Sequence, residues 1–251
     1  MLLLITLIVT IQCQEQYKII NRIQRAPEYF TQGLFFDSPD TLIESTGIYG
    51  ESRLQRINAM TGQPIQVTQL ESRYFGEGCV MIDSFIYQFT WKEGECLVYN
   101  KNLELLFTRS IMPEIKEGWG VTTDGKYLYV SDGSSSIHVI EPVEWELIRT
   151  FNVHLQDGKK LNRINELQYV DDEIYANVFG TNYILRLNAT TGLVIKVYDM
   201  SKLYAENELA YGSQCHDKMN DVLNGIAFNS YKGTFYLTGK RWHYIYEVIL
   251  L

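Results

Sequence analysis

The sequence predicts an all-β fold: a five-bladed β-propeller whose last blade is closed by the N-terminal strand. A polar or aromatic residue followed by Gly or Glu and then an apolar strand recurs five times, as Gln32-Gly-Leu, Glu77-Gly-Cys, Trp119-Gly-Val, Asn165-Glu-Leu and Asn224-Gly-Ile. The intervals of 45, 42, 46 and 59 residues match the period of a propeller blade. The turn Asn58-Ala-Met-Thr-Gly62 of the first repeat is echoed at the matching place of the fourth by Asn188-Ala-Thr-Thr-Gly192. An aromatic share of 13%, with 18 Tyr and 11 Phe, suits half-buried pleated strands.

Residues 1–13 are one apolar run without a charged side chain, ended by Gln14-Glu-Gln16. The run is too short to span a bilayer and suits a secretory signal peptide, which places the protein in the secretory lumen or outside the cell. A buried first strand is the other reading. From residue 17 to 251 a single propeller domain is expected. Tyr17–Ile23 reads as a spare strand, available to the last repeat, which supplies only three strands from Asn224 onward; closing the ring this way removes exposed sheet edges.

Within each repeat the grammar is an apolar strand, a turn, an aromatic-rich strand, a Gly-rich turn and a third alternating strand. In the third repeat these are Trp119–Thr122, Tyr127–Ser131 and Ser136–Ile140, with Asp124-Gly and Asp132-Gly as turn signals. Ser201–Asp221, polar and without alternation, is expected to be an insertion with one helical turn, a binding loop or lid.

The formal charge of −8 and the lack of a basic stripe argue against nucleic acid and anionic membranes as partners. Without residues 1–13, Cys79, Cys96 and Cys215 allow at most one disulfide, with Cys79 and Cys96 the closest pair in sequence. No Cys-x-x-Cys or His-x-x-x-His spacing marks a metal site. Asn188-Ala-Thr190 is a glycosylation sequon that would fit a secreted chain.

If the repeat register holds, Gln32, Glu77, Trp119, Asn165 and Asn224 ring the channel, and Thr46, Trp91, Asp132, Asn177 and Lys240 end the second strands at a similar level. One carboxylate, one ammonium, amides and two indoles at a channel mouth suit a small polar ligand. Glu77, between Gly76 and Gly78, is the candidate general acid/base; the glycines would let a ligand approach the backbone. Lys240 could stabilise developing negative charge. Trp91 and Trp119 could stack on an amide or amine, or wedge between blades. Each of these residues taken alone also reads as an ordinary turn or strand residue, and only the shared register singles them out. No Gly-x-Ser-x-Gly elbow or P-loop occurs.

At these residues the chain resembles the glutamine cyclotransferase family, the plant and bacterial type of glutaminyl cyclase. Ten ordered stretches carry the likeness from about residue 17 to the end, among them Phe30-Thr-Gln-Gly-Leu34, Tyr49-Gly-Glu-Ser-Arg-Leu54, Phe75-Gly-Glu-Gly78, Glu117-Gly-Trp-Gly120, Ile164-Asn-Glu-Leu167 and Thr238-Gly-Lys-Arg-Trp242. The resemblance implies conversion of the N-terminal Gln of a peptide or protein to pyroglutamate, with release of ammonia and no cofactor. It implies that Glu77 relays the proton from the attacking α-amine to the leaving ammonia, that Lys240 and Asn165 steady the oxyanion, that Gln32 orients the substrate amide, and that Trp91 and Trp119 wall the pocket. Phe179 stands where the family pattern has Trp, losing an indole N–H, and with Asn224 completes the expected substrate-binding set. A monomer is expected. The competing readings are a catalytically silent propeller that binds peptide or protein ligands at the same mouth, and a lactonase-like enzyme, which would need more carboxylates around a calcium ion than Glu77 and Asp132 supply.

Overall fold

The computed structural model describes residues 15–212 and 217–251; the proposed signal peptide, Cys215 and His216 lie outside them. Five four-stranded antiparallel sheets form the blades. The first holds β2 (Thr31–Ser38), β3 (Thr41–Thr46), β4 (Arg53–Asn58) and β5 (Pro64–Gln69), and the second β6 (Gly76–Ile82), β7 (Phe85–Thr90), β8 (Glu95–Asn100) and β9 (Leu105–Ser110). The third holds β10 (Val121–Thr123), β11 (Leu128–Ser131), β12 (Ser136–Glu141) and β13 (Glu146–Asn152), and the fourth β14 (Ile164–Val170), β15 (Glu173–Val178), β16 (Tyr183–Asn188) and β17 (Val194–Asp199). In the fifth, β18 (Leu223–Asn229), β19 (Thr234–Gly239) and β20 (Tyr244–Leu250) are completed by β1 (Tyr17–Gln24), which pairs antiparallel with β20.

The innermost strands β2, β6, β10, β14 and β18 touch in sequence around the axis, and β18 returns to β2. Three of them meet through glycine. A Cβ on Gly33 would lie 2.5 Å from the Cys79 amide nitrogen, on Gly78 2.5 Å from that of Val121, and on Gly120 2.1 Å from the Asn165 carbonyl oxygen. The repeated Gly is therefore what lets the inner strands close the ring.

The core is not central but divided into five wedges between neighbouring blades. Strand alternation sends successive side chains to opposite wedges: Leu97 and Tyr99 face the first blade, whereas Cys96 and Val98 face the third. This overturns the Cys79–Cys96 pairing. Cys79 lies in the first wedge and Cys96 in the second, on opposite faces of one sheet, and both are free buried thiols.

The ring is locked where the N-terminal strand ends. The Arg25 amide donates to the His243 carbonyl (2.8 Å), and its guanidinium donates to both carboxylate oxygens of Glu44 at 2.8 and 3.0 Å. Thr31 and Gln55 donate to the same carboxylate, so the buried Glu44 charge meets three side-chain donors, which makes its burial tolerable, while Arg25 Nε stays without a partner.

The echoed turns are the same device twice. Asn58 Oδ1 accepts from the amides of Met60 and Thr61, and Asn188 Oδ1 from those of Thr190 and Thr191. The 201–221 insertion carries more helix than expected: α1 spans Ser201–Ala210. It is fastened to the turn after β19, with Asn207 Oδ1 accepting from the His243 amide (2.7 Å), Tyr211 donating to the Arg241 carbonyl (2.6 Å) and Asp221 pairing with Arg241 (3.2 Å).

Candidate active site

At one end of the channel lies a cavity of about 440 Å³ lined by Phe30, Gln32, Ile48, Phe75, Glu77, Trp91, Trp119, Asn165, Phe179, Asp217, Asn220, Lys240 and Arg241. Seven of the eight site residues expected from sequence are therefore brought together. They come from all five blades, because each inner strand begins at this end and each second strand returns to it. The eighth, Asn224, is fully buried behind the wall. Its Nδ2 donates to Gln32 Oε1 (3.0 Å) and to the Thr31 carbonyl (3.0 Å), so it holds a lining residue instead of lining the cavity.

Gln32 passes the constraint on. With its Oε1 taken by Asn224, its Nε2 donates to Glu77 Oε1 at 3.0 Å. The other carboxylate oxygen, Glu77 Oε2, is buried without a protein partner, as is Asn165 Oδ1. Burial pushes the Glu77 carboxyl up from 4.5 to about 8; the Lys240 ammonium opposes the rise, and Glu117 and Glu93 add to it. Burial likewise pushes the Lys240 ammonium down to about 8, against the attraction of Glu77 and Glu166. Both groups are thus poised near neutral pH, where either can exchange a proton at small cost.

Lys240 has an aromatic sleeve. Its Nζ lies 4.8 Å from the ring centroids of both Phe30 and Phe179. The Phe179 ring also meets Trp119 edge-on at 5.7 Å and carries the Arg163 guanidinium at 5.1 Å. Phe179 therefore supplies both a cation contact and part of the wall.

The indoles line the cavity and are oriented by one carboxylate. Glu117 Oε2 accepts from Trp91 Nε1 (2.8 Å) and Trp119 Nε1 (2.9 Å), and Lys92 stands 3.8 Å from its other oxygen. Glu117 had no role assigned from sequence. It stands in the loop before β10, two residues ahead of Trp119, where no strand period points to it, and its one signal was its place in the stretch Glu117-Gly-Trp-Gly120.

Glu166 is the second missed residue. It occupies the register at which the other four inner strands have Gly. Its Oε1 takes a hydrogen bond from the Leu167 amide (3.3 Å) in its own blade, its Oε2 is unpartnered, and the Leu34 backbone in the first blade favours its charged form. It thus reaches across the axis, and burial holds it well above the usual carboxylate range.

Two expectations change. The glycines flanking Glu77 serve chain packing, not ligand approach: a Cβ on Gly76 would lie 2.7 Å from the Thr46 carbonyl oxygen, and on Gly78 2.6 Å from that of Trp119. Asp132 does not face the cavity, since its carboxylate accepts from Ser134 (3.0 Å from the amide) and contacts His138 Nε2 at 2.9 Å.

A family model described as glutamine cyclotransferase matches residues 6–250 of the chain. The chain is 32% identical over 238 residues to a glutaminyl-peptide cyclotransferase of Arabidopsis thaliana, covering 94% of this chain and 71% of that protein. The crystal structure of Myxococcus xanthus glutaminyl cyclase superposes with a TM-score of 0.83 at 30% identity, over 93% of this chain and 96% of that one. A streptogramin B lyase structure shares the fold alone, with a TM-score of 0.53 at 9% identity over 94% of this chain and 98% of the other.

Proposed function

The chain belongs to the glutamine cyclotransferase family, and from that premise we propose that it converts the N-terminal glutaminyl residue of a peptide or protein into pyroglutamate, releasing ammonia. One observation carries the mechanism: a carboxylate oxygen, Glu77 Oε2, buried and unpartnered in an aromatic cavity that also holds Lys240 and Asn165.

The α-amine nitrogen attacks the side-chain amide carbon, and the new C–N bond closes a five-membered ring. Glu77 takes a proton from that nitrogen and delivers it to the amide nitrogen, which leaves as ammonia when its bond to the same tetrahedral carbon breaks. One carboxylate serves both transfers because both nitrogens are bonded to one carbon. The amide oxygen carries negative charge in between, and Lys240 Nζ and the Asn165 amide stabilise it. Asn224 and Gln32 fix the Glu77 carboxylate with Oε2 free, so Gln32 acts on the carboxylate before it meets substrate. Trp91, Trp119 and Phe179 exclude water and pack on the glutaminyl side chain.

Ammonia release from a short peptide with free N-terminal Gln, beside the same peptide starting with Glu or acetylated Gln, tests the reading. Release from the free Gln peptide alone is expected. No release by folded protein would leave a peptide-binding propeller in its place.

Glu117→Ala is expected to raise KM by up to about thirtyfold with a smaller change in kcat, because two indole hydrogen bonds of about 1 kcal/mol each are lost. A KM equal to wild type would remove Glu117 from the wall-positioning role. Entry into the secretory pathway remains part of the proposal, supported by the apolar run at residues 1–13.

A further inference from the structure

The segment Gly47–Ser52, which leads into the stretch Tyr49–Leu54 to which the mechanism gives no task, is strained at the mouth of the cavity. Ile48 has φ +86°, a region that a β-branched side chain enters only under constraint. The constraint is visible. The Ile48 carbonyl accepts three hydrogen bonds, from the Glu51 amide (3.0 Å), the Ser52 amide (2.8 Å) and the Ser52 hydroxyl (2.8 Å). The Ser52 hydroxyl in turn accepts from the Gly76 amide (3.1 Å), next to Glu77, and the Gly47 amide donates to the Phe30 carbonyl (2.8 Å). The loop is thus pinned to the two segments that carry Gln32 and Glu77.

This strain turns Ile48 into the cavity wall and leaves Tyr49 at the rim, 46% exposed. The tyrosine is nevertheless fixed. Its hydroxyl donates to Glu93 Oε1 at 2.7 Å, and its ring meets Phe75 edge-on at 5.4 Å. Phe75 packs on Trp91 at 5.4 Å, so an aromatic shelf runs from the cavity wall outward to Tyr49. A rigid exposed ring loses little freedom when a ligand covers it.

We propose that Ile48 and Tyr49 form the subsite for the second residue of the substrate and select an apolar, above all aromatic, side chain there. The inference rests on the cyclisation reading. With the N-terminal Gln committed to Glu77, the chain leaves through the mouth, and the next Cα lies only about 3.8 Å further on. Its side chain then reaches the shelf.

The test compares Gln-Phe-amide, Gln-Gly-amide and Gln-Lys-amide by kcat/KM for ammonia release, in wild type, Tyr49→Ala and Tyr49→Phe. In wild type the Phe peptide is expected to exceed the Gly peptide by about tenfold, the scale of one well-packed apolar contact. Tyr49→Ala should bring the ratio close to one, and Tyr49→Phe, which keeps the ring and loses the Glu93 bond, should fall between. Equal ratios in wild type and Tyr49→Ala would overturn the subsite. So would a preference for the Lys peptide, which would assign recognition to the Glu93 and Glu117 charges. Binding of the three peptides, read by quenching of tryptophan fluorescence, repeats the comparison without turnover. Peptides that bind with the Phe preference but release no ammonia would refute the cyclisation reading and leave the subsite standing, and binding without that preference would refute the subsite.

Discussion

Glu77→Gln is expected to lower ammonia release by about 10²–10⁴-fold, the span that general acid–base catalysis contributes, and to yield a protein that melts higher than wild type at pH 8. Both effects have one cause. Burial holds the Glu77 carboxyl at about 8 in the folded chain, against an ordinary 4.5. Between those two values the folded chain keeps a proton that the unfolded chain has released. Wild-type stability therefore falls as pH rises through this window. The variant amide has no proton to lose, and it can still accept the Gln32 hydrogen bond through its oxygen. The two proteins should melt together near pH 4.5 and separate progressively up to about pH 8. The separation is on the order of a few kcal/mol, roughly 5–10 °C for a domain of this size. Calorimetry at pH 4.5 and pH 8 reads the stability and ammonia assay the activity; coincident melting at both pH values, or retained turnover, would refute the assignment.

Lys240→Met should reduce kcat by about 10²–10³-fold, as loss of an oxyanion donor does, while leaving the fold intact, because an apolar chain of similar length fits the sleeve between Phe30 and Phe179. The pH profile carries more information. Turnover needs the Glu77 carboxylate and the Lys240 ammonium together, and both titrate near 8. Wild-type kcat should form a narrow bell around pH 8, its limbs belonging to the pair and not to either residue. Lys240→Met should lose the alkaline limb. Its acid limb should move to higher pH, since the nearby ammonium that favours the Glu77 carboxylate is gone. A variant with kcat within a few-fold of wild type, or with the bell unchanged, would remove Lys240 from the chemistry.

How much of this was legible in the chain differs from residue to residue. The blade count, the closure by β1 and the ring of Gln32, Glu77, Trp119 and Asn165 were readable because period and register are properties of sequence order. Glu117 was visible as a carboxylate in the stretch Glu117-Gly-Trp-Gly120, but not its bonds to both indoles, because it stands in a loop before β10 where no strand period fixes its direction. Glu166 was visible as the one break in the Gly register, but not its reach across the axis to the first blade. The strain at Ile48 was not legible at all, since its turn is pinned by the Gly47–Phe30 and Ser52–Gly76 hydrogen bonds, which exist only once the first two blades are assembled.

Taken by itself, the amino-acid order determined the propeller, its closure and which side chains stand at the mouth, because hydrophobic alternation and blade period are local and repeat. Only the tertiary structure decided what those side chains do to one another. It put Asn224 behind Gln32 instead of in the cavity, set Cys79 and Cys96 on opposite faces of one sheet, and gave the glycines beside Glu77 to chain packing. It also drove Glu77 and Lys240 to a common titration range, because desolvation, hydrogen-bond choice and close packing depend on contacts between blades that lie tens of residues apart in the chain.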